Sequence, residues 1–210
     1  GGFLKLHITP NDGSECSLSY VQWTLGVAGL TAIKPCFWDH RKLEANALNY
    51  ETAVMAEDYV IAGPIQADLW VSSTVHDAVV SVRVEEVLPG GRVVPITNGL
   101  LLASMRAVDE SRSRYVLGEM VQPYHFLTQE SEQLLMPGEV VKMQVEVFPT
   151  SAMIRAGSRL RVSISPSNQA QGVLNLVQRE NVVGGVTSLH HGPQYPSSLA
   201  VLSVPLSELN

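Results

Sequence analysis

Val80-Ser81-Val82-Arg83-Val84-Glu85-Glu86-Val87-Leu88-Pro89-Gly90-Gly91-Arg92 is the stretch on which the fold turns. Val80, Val82 and Val84 alternate with Ser81, Arg83 and Glu85. That period of two puts one set on a sheet face against a core and the other toward water or a partner. Leu88-Pro89-Gly90-Gly91 then closes the run with a tight turn, because proline fixes φ and glycine accepts a positive φ. Working outward, the same alternation recurs at Ile65–Val71, Val141–Val147 and Arg159–Ser165. Further strands are expected around Arg92–Ile96, Leu100–Arg106, Met153–Ile154 and Leu199–Val204. Thr97-Asn98-Gly99 and Met136-Pro137-Gly138 read as hairpin turns, and Ala156-Gly157-Ser158 separates two strands. Short strands at this spacing, with no long 3.6-period helix between them, predict an all-β sandwich rather than a βαβ fold.

The 210 residues suit one large all-β domain with an irregular arm, and 45% apolar with 16% charged residues is enough to bury a core. The expected organisation is an N-terminal arm or linker over residues 1–45 and the sandwich over 46–210. The arm holds a strand-like run at Leu4–Ile8 and a helical turn near Ser17–Leu25. Residues 107–135 alternate poorly and read as a long excursion, of the kind that in compact domains often carries function.

The net charge of −6, with 14 scattered basic residues, excludes nucleic acid, whose phosphates demand clustered cations. No apolar run approaches the length of a membrane span. Gly1-Gly2-Phe3-Leu4-Lys5 opens no signal peptide, which favours the cytoplasm and leaves secretion open for a fragment. Cys16 and Cys36 are too far apart for a CxxC motif; two ordinary thiols is the favoured reading over one bridge.

A serine hydrolase needs its nucleophile on a strained elbow, usually Gly-x-Ser-x-Gly, and none occurs here. Ser14 is out of that frame and Ser158 sits in a plain turn. Metal motifs are likewise missing: there is no HExxH, and His190 and His191 are adjacent, so on a strand they point to opposite faces. No metal and no cofactor is expected. His190, His191 and Tyr195 are candidates for ordering a loop by hydrogen bonding. Trp23, Phe37 and Trp38 lie in the arm, where they either anchor it, face another domain or line a pocket.

A series of motifs in order is more specific. It runs Leu48-Asn49-Tyr50-Glu51-Thr52, Ile61-Ala62-Gly63-Pro64-Ile65, Trp70-Val71-Ser72-Ser73-Thr74-Val75-His76-Asp77, then Val82 to Gly91 and Thr97 to Arg106. Met136-Pro137-Gly138-Glu139, Ile154 to Ser165 and His191-Gly192-Pro193-Gln194-Tyr195-Pro196-Ser197 complete it. Over residues 45–206 the chain resembles the C-terminal non-catalytic domain of the X-Pro dipeptidyl-peptidase and cocaine-esterase (CocE/NonD) serine hydrolases. The resemblance implies a jelly-roll sandwich, similar to galactose-binding domains, packed on an α/β-hydrolase catalytic domain of the same protein. It implies that the Ser-His-Asp triad belongs to that other domain, and no triad residue is carried over to this chain. The resemblance also implies a role in shaping an acyl or peptide pocket, with Thr31–His40 the segment that approaches it, and leaves room for a homo-oligomer. A stand-alone carbohydrate-binding module, using Trp70 or Trp38 as a sugar platform, is the competing reading.

Overall fold

In the computed structural model of the chain, the described residues are 47–166 and 181–209. Their strands are β1 (Leu48–Glu51), β2 (Tyr59–Ser73), β3 (Val79–Val87), β4 (Val93–Leu102), β5 (Arg114–Val116) and β6 (Glu119–Gln122). They continue with β7 (Val141–Ile154), β8 (Arg159–Ser165), β9 (Thr187–His190) and β10 (Ser198–Pro205). No α-helix occurs among the described residues, and every pairing is antiparallel. One sheet has the order β1-β8-β3-β4. The second has β10-β2-β7 with β9 also on β2, and β5-β6 form a separate hairpin.

The alternation read from the sequence selects the core. Ile65, Ala67, Leu69 and Val71 of β2 and Val141, Met143, Val145 and Val147 of β7 are buried. Val80, Val82 and Val84 of β3 and Ile164 of β8 join them in one cluster, so the two sheets pack face to face as a sandwich. Leu69→Ala and Val82→Ala are each expected to lower the unfolding free energy by on the order of 1–4 kcal/mol, measured by urea titration. Losses near zero at both positions would mean that these faces do not pack inward.

Turn chemistry is met at residues 88–92, where the Leu88 N–H bonds the Arg92 carbonyl at 2.8 Å and Gly90 and Gly91 have φ of +94° and +84°. Position 99 departs from expectation. The two strands foreseen at Arg92–Ile96 and Leu100–Arg106 are the single strand β4, followed by a 3-10 turn at Ala103–Met105, and Asn98-Gly99 lies inside it. A Cβ on Gly99 would stand 2.0 Å from the carbonyl oxygen of Glu146 in β7. This glycine is there because two backbones cross in contact, not because the chain turns. Met136-Pro137-Gly138 does form a turn, yet it closes no hairpin. Its Gly138 N–H bonds the Ser73 carbonyl at 2.7 Å, fastening the entry to β7 onto the end of β2.

The outer face of β3 is polar, as its sequence requires, but it is dry. Ser81 and Glu85 are 0% exposed and Arg83 4%. Arg83 donates to the Ser163 and Ser165 hydroxyls at 2.8 and 3.3 Å and lies 3.4 Å from the Glu85 carboxylate. The two terminal nitrogens of the buried guanidinium are thus hydrogen-bonded, while its Nε makes no hydrogen bond and faces the Glu85 carboxylate, whose charge offsets the cost of burial. Toward the β1 edge, Arg161 donates to Glu51 at 2.9 Å and Arg159 to the Thr52 carbonyl at 2.8 Å. Arg159 also lies 3.8 Å from the Glu51 carboxylate, so both arginines pair with Glu51 and form an ion-paired strand face.

Candidate functional site

The outer face of the second sheet gathers the polar and aromatic groups. One edge of β2 pairs with β7 along Tyr59–Val71. The other edge carries two strands end to end: β10 against Tyr59–Asp68 and β9 against Trp70–Ser73. Residues 191–197 bulge out between them. Ser197 bridges the gap, its hydroxyl accepting the Trp70 N–H at 2.9 Å and donating to the His190 carbonyl at 2.7 Å. Side chain thus replaces main chain where the ladder is broken.

Over this break the Tyr195 ring packs 5.5 Å from Trp70 and 5.4 Å from His190. His190 Nε2 lies 2.8 Å from the Ser72 hydroxyl. His191 turns the other way, edge-on to Tyr50 of β1 at 6.5 Å. The three loop residues singled out in the sequence are therefore brought together only in part. Tyr195 and His190 share one cluster and His191 stands apart from it. Their partners Trp70 and Ser72 lie more than a hundred residues away in the chain, inside one of the ordered motifs, and nothing local to them pointed to His190 or Tyr195.

Ser72 and His190 make the hydrogen bond of a nucleophile and its base. Ser72, however, sits within the β2–β9 pairing, not on a strand-to-helix elbow, and no carboxylate meets the His190 ring among the described residues. The pair lacks the third member that orients an imidazole. Tyr195 lies tilted by 50° against the Trp70 ring, at 5.5 Å between centroids, so it covers part of the surface on which a sugar would stack.

Two further features frame this face. Asp77 is fully buried, and its carboxylate accepts the Ala78 and Ser104 N–H groups, both at 2.8 Å, and the Ser104 hydroxyl at 2.7 Å. Beside it the His76 carbonyl accepts the Leu135 N–H at 2.8 Å, so residues 76–78 clasp both the departure and the return of the 107–135 excursion. The excursion itself lies over the sheet. Gln122 donates to Glu146 at 2.6 Å, Gln144 to the Met120 sulfur at 3.2 Å, and Val121 is buried. At its start the Ser111 hydroxyl, above all, holds the exposed Asp109 carboxyl below the usual range, and the Ser111 and Arg112 N–H groups add to this. At its tip, Leu117 and Gly118 form a two-residue loop with φ of +52° and +86°.

An apolar cleft of about 270 Å³ opens between the sheets beside Leu48, Val71, Val80, Ile164 and Leu189, and among the described residues no titratable side chain lines it. Among the described residues there is no cluster of His, Cys, Asp and Glu suited to a metal, and no helix long and apolar enough to cross a membrane. Trp23, Phe37, Trp38, Cys16 and Cys36 lie outside the described residues, as do the strand-like run at Leu4–Ile8 and the helical turn near Ser17–Leu25.

The sequence profile of the family described as the X-Pro dipeptidyl-peptidase C-terminal non-catalytic domain matches residues 4–200. The chain belongs to this family. The match takes in most of the segment that the sequence reads as an arm, whereas the ordered motifs begin near residue 45. Among curated proteins, "Putative serine esterase Mb1866c" of Mycobacterium bovis is 30% identical over 130 residues, covering 62% of this chain and 20% of that protein. Cocaine esterase of Rhodococcus is 26% identical over 164 residues, covering 74% of this chain and 25% of that one. The domain therefore spans a fifth to a quarter of the length of these relatives. Among solved structures, a CocE/NonD family hydrolase from Staphylococcus aureus superposes with a TM-score of 0.63 at 21% identity, over 80% of this chain and 32% of that one. That likeness shows the fold.

Proposed function

We propose that this chain is the accessory C-terminal domain of a serine hydrolase of the X-Pro dipeptidyl-peptidase or acyl-esterase type. In this reading it packs on an α/β-hydrolase catalytic domain and shapes its acyl or peptide pocket. The observation that carries the reading is the family match over residues 4–200, and the names of the two relatives point to ester substrates. The Ser72–His190 pair, lacking a carboxylate, is in keeping with a domain that leaves the chemistry to its neighbour. Thr31–His40, with Phe37 and Trp38, is the segment proposed to approach the pocket, on the strength of the family resemblance. Residues 191–197 are proposed to be ordered by His190 and Tyr195, with His191 holding their base against β1.

The test is hydrolysis of p-nitrophenyl acetate and butyrate by residues 1–210 alone and by the polypeptide that also carries the catalytic domain. Activity is expected only in the latter. Turnover by the 210-residue chain that disappears in Ser72→Ala would overturn the reading and make Ser72 a nucleophile.

A further inference from the structure

The β5–β6 hairpin ends in a loop whose chemistry contradicts its geometry. Both of its residues, Leu117 and Gly118, have positive φ, the pattern of a type I′ turn, for which Asn, Asp and Gly are the fitting residues. A leucine there is an outlier, because its bulk crowds the backbone in the left-handed region. Leu117 is also 100% exposed, and its neighbours Tyr115 and Val116 are exposed as well. Nothing lies within 4 Å of the position a Cβ would take on Gly118, so the loop stands clear of the sandwich. The arm behind it is nonetheless fixed, through Gln122 to Glu146, Met120 to Gln144 and buried Val121.

We propose that the hairpin tip, with Leu117 at its end and Tyr115 and Val116 on its two opposite faces, is a docking knob that inserts end-on into an apolar socket on the catalytic domain of the same polypeptide, an inference that rests on the accessory-domain reading above. Arg114 and Glu119, both exposed, give the apolar tip the polar rim usual in protein contacts. The size of the patch decides between occupants. A free dimer of stable affinity needs roughly 800 Å² from each partner, far more than three side chains supply. A covalently tethered partner works at an effective concentration in the millimolar range, where a small rigid contact is sufficient. The relatives, four to five times as long as the matched domain, have the remaining chain to provide it.

The experiment uses the full polypeptide and two substitutions at the tip. Leu117→Asn suits the left-handed backbone but removes the apolar contact; Leu117→Met keeps the contact. Limited proteolysis between the domains, read together with the calorimetric transitions, reports their coupling. If the knob docks, Leu117→Asn speeds interdomain cleavage by about tenfold, the order expected for losing one buried leucine, and Leu117→Met restores the unmodified rate. If the unmodified polypeptide melts as one coupled transition and Leu117→Asn leaves cleavage unchanged or slower, the knob is wrong and the accessory-domain reading stands. If the unmodified domains already melt independently, both fall.

Discussion

Alanine at position 99 is expected to keep the two sheets from closing. The added methyl would meet the Glu146 carbonyl oxygen at 2.0 Å and the Glu146 carbonyl carbon and Val147 Cα at 2.9 Å, all of them backbone. No side chain can swing aside to make room, so β4 and β7 must separate. Two residues along, the Thr97 hydroxyl bonds the Phe148 carbonyl at 2.8 Å, and that bond would be lost with the approach. Val145 and Val147, fully buried beneath the crossing, would lose their close packing. Gly99 has no left-handed φ, so the effect is one of space alone. The expected loss is about 4 kcal/mol or more, or failure to fold, measured by urea unfolding with near-ultraviolet circular dichroism. A Gly99→Ala protein within about 1 kcal/mol of the original would mean that the sheets do not meet so closely here.

Asp77→Ala is the second large effect. It deletes the acceptor of three buried donors: the Ala78 N–H, the Ser104 N–H and the Ser104 hydroxyl. A buried donor left without a partner costs about 1–3 kcal/mol, and the sum should fall near 3–5 kcal/mol after partial relaxation. Asp77→Asn keeps one carbonyl oxygen for the two N–H groups, and the Ser104 hydroxyl can rotate to accept from the new amide. About 1–2 kcal/mol is expected there. Hydrogen exchange should show where the clasp fails. The Leu135 N–H, bonded to the His76 carbonyl, should lose protection in Asp77→Ala before the β2–β7 ladder does. Equal protection at both places would show that residues 76–78 do not hold the excursion.

Strands were legible wherever one face is apolar and the other polar, because alternation is written residue by residue. Hence Ile65–Val71, Val80–Val84 and Val141–Val147 lie in strands and bury the expected side chains. What alternation could not convey is whether a polar face is wet: Ser81, Arg83 and Glu85 are polar and buried. Asn98-Gly99 misled for a related reason. A hairpin turn and a close crossing both demand glycine, and only the position of β7, nearly fifty residues away, distinguishes them. At the candidate site, His190 and Tyr195 stood out, while Trp70 and Ser72 joined them only through the pairing of β9 with β2. The left-handed leucine at position 117 left no trace, since Val116-Leu117-Gly118 reads as an ordinary apolar run until the hairpin register is known.

The interruption between β9 and β10 has a consequence for how this domain meets other copies of itself. A continuous border of fifteen residues, the length of β2, would offer a long row of open main-chain donors and acceptors on which a foreign strand could grow. Here the border is cut into lengths of four and eight residues, with Pro193 and Pro196 in the bulge and Pro205 closing β10. The Ser197 hydroxyl occupies the Trp70 N–H at the cut. Among the described residues, a strand added along this border is expected to lose its register within a few residues, which disfavours growth of a fibre from it. Contacts made here would then draw more on side chains, whose shapes discriminate between partners, than on main chain, which every protein shares.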